Sequence, residues 1–579
     1  MKKKTIRGIF SSIFKRKLET KVQDKLAVQP ALEEEYDPLM GFFDASVDFA
    51  GSDLDAPEKS SPSLDSLDEW DMAGFFDASV YASLRQAQAQ TLLGITPKDQ
   101  APELVSDYPD PGLSTNHLSR VADPPSIFTM EAIQGIAGQS LTEEMLYDIG
   151  RALGSEAKKH NITKLVLGRD GRAASEGLAV ALANGLAAVG CNVLDIGRVP
   201  TPLLYFVAQH IEGRSGVMVG ASHKLPDYNA IKMMLAGEIL HGESILQLKQ
   251  IIDQQHYAAH GLGKIEQNYG VVYEYIGTIV DSISMGKPMT IVVDYSHGVV
   301  GELGTTLFKG LGCRLIELNQ AVDGSFPQPL ADLSMPEHSS ELVAAVKHHK
   351  ADLGIAFSGD GSQLGVLDAD GKAISAEQLL LVCAKDALAS KPGAGIIYDV
   401  TYSRHSALQI TKLGGRPIMW KTGLHAMRAK LKETGALLAA ESSGRLYFND
   451  RWFGFDDGLY YAARLLEVLS NNKPSSTEVF AQFRQNEINE QCCISLAEGE
   501  NTQLLGRMQE QAVFVNGRVS RIDGVRVDFS TGWGAVLALS YEPSLQIRFG
   551  ADNTEQLKEI QAQFKQVMQA INPGLHLPF

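Results

Sequence analysis

An α/β fold of several domains is what this sequence predicts, and three observations predict it. Past residue 126, short apolar runs alternate with helix-period segments: 164–167 reads as a strand, 173–189 as a helix and 192–196 as the next strand. That alternation is the pattern of parallel α/β units. The chain has 579 residues, room for about four domains at roughly 150 residues each. Apolar residues make up 44% of it, ample for several cores.

The chain before that body reads differently. Residues 1–22 form a basic amphipathic segment. Ile6, Ile9, Phe10, Ile13 and Phe14 fall on one side at helical spacing, among Lys2, Lys3, Lys4, Arg7, Lys15, Arg16, Lys17 and Lys21. Such a helix can lie on an anionic membrane surface, and the plain alternative is a frayed basic tail. Ser11-Ser12 and Lys15-Arg16-Lys17 interrupt the apolar residues, and no small-residue cleavage site follows, which argues against a secretory signal. Residues 23–122 are rich in Pro, Ser, Asp and Glu and read as a disordered acidic linker. Inside it Gly-Phe-Phe-Asp-Ala-Ser-Val occurs at 41–47 and again at 74–80. Paired short motifs in a flexible chain suit capture of a protein partner, with Phe42, Phe43, Phe75 and Phe76 as the anchors. The partner itself is not legible, and a duplication without function is the plain alternative.

The formal net charge of −17 excludes non-specific nucleic-acid binding by the whole chain. No apolar run is long enough to span a bilayer. Cys191, Cys313, Cys383, Cys492 and Cys493 show no metal-binding spacing. A reduced, cytoplasmic setting is expected, peripheral at the inner membrane if the basic segment docks there.

The stretch with most chemistry is Gly220-Ala221-Ser222-His223-Lys224-Leu225-Pro226-Asp227-Tyr228-Asn229. It follows the apolar run 215–219, which reads as a buried strand. Ser222 and His223 then sit on a loop at a strand's C-terminal end, with Lys232 able to reach back. Serine, histidine and lysine there suit phosphate chemistry. An incidental Ser-His pair on a surface loop is the alternative on residue types alone.

This loop resembles the phosphoserine loop of the α-D-phosphohexomutases. The likeness extends from about Ser126 to the C-terminus. It is carried by Gly168-Arg169-Asp170-Gly171-Arg172, Val199-Pro200-Thr201-Pro202, Met419-Trp420-Lys421-Thr422-Gly423 and Arg451-Trp452-Phe453-Gly454-Phe455-Asp456-Asp457-Gly458. The resemblance implies four domains: three similar α/β domains at 123–270, 271–373 and 374–488, and a smaller C-terminal α+β domain at 489–579. It implies transfer of a phosphoryl group between O1 and O6 of a hexose through a phosphorylated serine. Ser222 matches that serine, His223 its neighbour, and Lys232 keeps its place.

Other loops depart from the family pattern. Lys224 stands where the pattern has Asn. The metal loop, Asp-Gly-Asp-Gly-Asp-Arg in the pattern, is Ser358-Gly359-Asp360-Gly361-Ser362-Gln363. Mg²⁺ needs hard oxygen ligands, and one carboxylate, Asp360, remains as a remnant site. No cofactor is expected, and Mg²⁺ only if the protein is active. In the sugar loop Glu441 and Ser443 match, but Arg445 replaces His. Leu424 takes another histidine position, with His425 displaced one residue on. In the phosphate clamp Leu537 replaces an arginine. Losses confined to metal, phosphate and proton-transfer positions predict a degenerate phosphohexomutase, whose N-terminal region acts as a scaffold or localisation module. An active enzyme on a hexose phosphate and a sugar-binding sensor using Glu441 and Ser443 are the alternatives.

Overall fold

The computed structural model describes residues 127–579 apart from 130–131, 221–225, 259–260, 328–335, 485–486, 498 and 540–542. The basic segment, the linker and its duplicated motif therefore lie outside the described residues, as do Ser222, His223 and Lys224.

Four sheets follow one another along the chain. The first contains β1 (Ile133–Ile136), β2 (Lys164–Arg169), β3 (Asn192–Arg198), β4 (Gly216–Val219), β5 (Tyr228–Leu235), β6 (Glu238–Ile239) and β7 (Ile265–Gln267). Its order is β1-β5-β4-β2-β3-β7, with β6 hairpinned on β5. The second contains β8 (Thr290–Asp294), β9 (Arg314–Leu318), β10 (Leu353–Phe357) and β11 (Leu364–Leu367), in the order β11-β10-β8-β9. The third contains β12 (Gly395–Asp399), β13 (Arg416–Trp420), β14 (Leu438–Ala440) and β15 (Leu446–Phe448), in the order β13-β12-β14-β15. The fourth is wholly antiparallel: β16 (Ile488–Ser495), β17 (Arg518–Ser520), β18 (Val525–Phe529), β19 (Gly532–Ala538) and β20 (Ser544–Ala551), in the order β16-β20-β19-β18-β17.

The first three sheets repeat one plan. In each, three neighbouring strands run parallel, and the third in chain order turns back into an antiparallel partner. The inner parallel strands are buried on both faces, which is why they read in sequence as unbroken apolar runs such as Leu353-Gly354-Ile355-Ala356-Phe357. Helices between them carry ordinary end signals. Thr142 caps Glu143–Lys159, with acids in its first turn and lysines in its last. Ser375 and Gln378 form a capping box on Ala376–Ser390.

One apolar cluster runs through all three α/β units, from Val166 through Phe357 to Phe455, and the fourth sheet has its own core around Phe549 and Phe564. At the middle lies helix Gly458–Asn471, whose start is fixed by Asp457. The Asp457 carboxylate accepts from Tyr460 N, Tyr275 Oη and Trp452 Nε1. Burial pushes this carboxyl up to about 7. Among the described residues no helix is long and apolar enough to cross a membrane.

Candidate active site

The repeated plan puts the chemistry-bearing loops at equivalent places. The serine loop joins β4 to β5, the metal loop joins β10 to β11, and the sugar loop joins β14 to β15. Each is the turn of the antiparallel hairpin in its own unit. Each turn holds a glycine at positive φ: Gly220 at 114°, Gly361 at 73° and Gly444 at 90°. At Gly220 the space decides as well, since a Cβ there would lie 2.0 Å from Asp170 Oδ1.

Behind Gly220, the Gly-Arg-Asp-Gly-Arg motif forms a brace. Asp170 Oδ1 accepts from Ser175 Oγ at 2.6 Å and from Arg172 N at 3.0 Å. Arg172 Nε donates to Gly220 O at 3.0 Å, and Asn229 Nδ2 donates to Ser175 Oγ at 2.8 Å. The footing of the serine loop is thus a network of buried polar groups, in which Asn229 Oδ1 lacks a hydrogen-bond partner.

Lys232 leaves that unit along β5 and meets the metal loop, its Nζ 3.0 Å from Asp360 Oδ2. Asp360 Oδ1 accepts from Ser358 Oγ at 2.9 Å, Ser362 Oγ at 2.8 Å and Ser362 N at 3.1 Å. The turn is pinned from both neighbouring units: Thr201 N donates to Asp360 O, and Gly458 N to Gly361 O, each at 3.0 Å. The Val-Pro-Thr-Pro and Phe-Asp-Asp-Gly motifs therefore meet on this turn.

These residues do not fit a magnesium ion. The ion demands about six hard oxygens in near-octahedral array. The loop offers one carboxylate, whose two oxygens are engaged by a lysine, two hydroxyls and an amide. Both hydroxyls donate toward Asp360. Among the described residues no three His, Cys, Asp or Glu side chains converge to hold a metal.

In the sugar loop Glu441 is buried and Ser443 is exposed at the tip. Tyr447 Oη donates to Glu441 Oε1, and Arg445 Nη1 lies 3.7 Å from Glu441 Oε2. Arg445 Nε lies 3.2 Å from Asp456 Oδ2. The Gln363 amide, its oxygen assigned toward Arg445, lies over the guanidinium face, with that oxygen 2.9 Å from Nη2. Burial raises the Glu441 and Asp456 carboxyls above the usual range. For Arg445 burial works against the charge, but Glu441, Tyr447 and Asp456 outweigh it. Beside the cluster the Tyr205 hydroxyl is buried without a hydrogen-bond partner.

At the clamp position, Leu537 is 5% exposed and packs with Val400, Trp533 and Ala535, with Met419 alongside. Arg526 anchors the fourth sheet to the third: its Nη1 donates to Val400 O and Tyr402 O, both at 2.6 Å. Thr422 of the Lys-Thr-Gly motif donates through N and Oγ1 to Asp523. The displaced His425 turns away to stack on His241 of the first unit, ring centroids 3.2 Å apart.

Three family models match in chain order. Residues 126–258, 273–371 and 375–486 match α/β/α domains I, II and III of phosphoglucomutase/phosphomannomutase. The chain belongs to the α-D-phosphohexomutase family. It is 43% identical over 456 residues to the phosphomannomutase/phosphoglucomutase of Pseudomonas aeruginosa, covering 79% of this chain and 98% of that protein. It is 41% identical to the phosphoglucomutase of Neisseria gonorrhoeae, covering 78% and 98%. A crystal structure of a phosphoglucomutase/phosphomannomutase family protein from Burkholderia thailandensis superposes with a TM-score of 0.74 at 40% identity, covering 78% of this chain and 99% of that one. As a phosphohexomutase its body is phosphomannomutase/phosphoglucomutase-like, and the repeated sheet order is the expected architecture.

Lys232 is expected to reach back toward the serine loop, whose residues 221–225 lie outside the described residues; among the described residues its Nζ meets Asp360 Oδ2. The sequence reading missed the Gln363–Arg445 contact, the His241–His425 stack and the Arg526 anchor. For Gln363 and Arg445 the signal is a departure from the family pattern, which marks each position but not the distant residue that meets it.

Proposed function

We propose that this protein is a degenerate phosphohexomutase whose mutase turnover is lost or very weak. The observation that carries the reading is the state of Asp360. The last carboxylate of the metal loop is committed to Lys232, Ser358 and Ser362, so the loop is a closed internal network. Leu537, packed against apolar neighbours where the resemblance implies a phosphate-gripping arginine, supports it. So does Glu441, engaged by Tyr447 and Arg445. On this reading Ser222 and His223 are inherited without use, and the N-terminal region carries the present function. Residues 1–22 dock on the anionic inner face of the membrane. Phe42, Phe43, Phe75 and Phe76 capture a protein partner through two weak contacts.

The test is a coupled mutase assay on the full chain with glucose 1-phosphate and mannose 1-phosphate, with Mg²⁺ and a hexose bisphosphate activator. Turnover at background is expected. Robust Mg²⁺-dependent turnover that disappears in Ser222→Ala would establish the active-enzyme alternative instead.

A further inference from the structure

The arginine of the sugar loop sits among partners from two units. Arg445 has a side-chain exposure of 14% and lies between Asp456, at 1%, and Glu441, at 6%. Those carboxylates belong to its own unit. Its third partner, Gln363, belongs to the neighbouring one, with the amide oxygen 2.9 Å from Nη2, 3.2 Å from Nε and 3.3 Å from Nη1. Gln363 ends the same short turn whose Asp360 is held by Lys232. The turn is therefore gripped by a cation on each side, one from β5 and one from the β14–β15 hairpin. That oxygen is near all three nitrogens at once, so the amide lies over the flat face of the guanidinium, a packing that a lysine ammonium does not offer. Two protein cations here offset three buried carboxylates without any ion from solution.

We propose that Arg445 is an internal cation clamp that holds the metal-loop turn of the second unit against the third, so that the centre of the body is permanently assembled and independent of divalent metal. The clamp stands on this geometry. Its metal independence rests on the reading of the turn as a lost metal site. Removing one side of such a pair leaves the opposite charges buried and unmatched, so the partners are energetically coupled rather than additive.

The experiment compares wild type, Gln363→Arg, Arg445→Gln and the exchanged double variant Gln363→Arg/Arg445→Gln. Unfolding midpoints are read by calorimetry in EDTA and in excess Mg²⁺. Gln363→Arg sets two guanidinium groups against each other and lowers the midpoint. Arg445→Gln strands Asp456 and Glu441 and lowers it further. The double variant recovers at least half of the summed loss, because the cation has only crossed the contact. Neither EDTA nor Mg²⁺ moves the wild-type midpoint. Should a charge variant fail to fold, Gln363→Ala keeps the carboxylate partners of Arg445 and removes only the bridge. Amide exchange in 358–363, read by mass spectrometry, then speeds up about tenfold. Additive single losses, an unchanged midpoint in Gln363→Arg, or unchanged exchange in Gln363→Ala overturns the clamp. A wild-type midpoint that falls in EDTA overturns its metal independence. Turnover in the mutase assay would overturn the degenerate reading while leaving the coupling data as they stand, so the two failures are distinguishable.

Discussion

Returning carboxylates to the metal loop has a cost and a reward that can be separated by one cation. In Ser358→Asp/Ser362→Asp, two hydroxyls that donate to Asp360 Oδ1 at 2.9 Å and 2.8 Å become acceptors. Hydrogen bonds to a charged group contribute about 1.5–3 kcal/mol each. A like charge about 4 Å away costs up to roughly 4 kcal/mol at an effective dielectric constant of about 20. Lys232 and side-chain rotation relieve part of this, so the metal-free variant loses on the order of 5 kcal/mol relative to wild type. Three carboxylates around one turn then form a hard oxygen site. Mg²⁺ at a hundred times its dissociation constant returns about 2.7 kcal/mol. For a folded body of this size that is a rise of about 3 °C in unfolding midpoint. Calorimetry with EDTA and with Mg²⁺ reads both halves, and titration calorimetry gives the affinity directly. A wild type that gains as much from Mg²⁺ as the variant refutes the account of the loop. So does a double variant that is as stable as wild type in EDTA and unmoved by the ion.

Three further outcomes are expected. Arg526→Met leaves the carbonyls of Val400 and Tyr402 buried without a donor and removes a guanidinium 4.5 Å from the Trp533 ring centroid. At about 1–3 kcal/mol per stranded acceptor the loss is on the order of 4 kcal/mol, and a calorimetric midpoint within a degree of wild type contradicts it. The His241–His425 stack strengthens above pH about 6.5 and weakens as pH falls, because burial and then His241 hold the His425 pKa below its ordinary value. Arg428 adds to that repulsion, while Glu238, paired to Lys432, opposes it. His425→Phe keeps a ring and removes the titration, so its midpoint should depend less on pH between 5.5 and 8; an equal dependence rules the stack out as the cause. In the linker, replacing Phe42-Phe43 or Phe75-Phe76 alone should weaken partner capture by the full chain and replacing both should abolish it, and equal recovery by wild type and the double variant removes the motif from consideration.

What could be read from the sequence follows from how each feature is encoded. β10 declares itself because a strand buried on both faces is a short unbroken apolar run. The helices declare themselves by caps, as at Thr142 and Ser375. The read helix at 173–189 is observed as Ser175–Ala188, and the read strand at 192–196 as Asn192–Arg198. Such end differences are expected where the first and last turns share the same residue types as the loops. That the serine, metal and sugar loops occupy the same hairpin of three successive units was not legible, because strand order depends on which strands pair. The long-range polar contacts were hidden for a related reason. Arg526 meets Val400 from 126 positions away, and nothing in either neighbourhood names the other. Gln363 and Arg445 each read as a single loss, whereas together they make a contact. A residue's type is local information, but a buried pair is encoded jointly by two distant places.

Leu537 shows what such packing does to the history of a site. Its side chain lies among Val400, Trp533, Ala535 and Met419, at the join between the third and fourth sheets. Arginine returned there alone would carry a charge into a space shaped for hydrocarbon, and would disturb the join before it gripped any ligand. On the proposed reading, a first substitution toward the family's arginine is therefore unfavourable on this background, whatever its merit on another. The neighbours would have to change beforehand, in an order that keeps the two sheets together. If the proposed reading holds, a site that was merely emptied could be refilled step by step, whereas one built over by apolar packing is closed to single-step return.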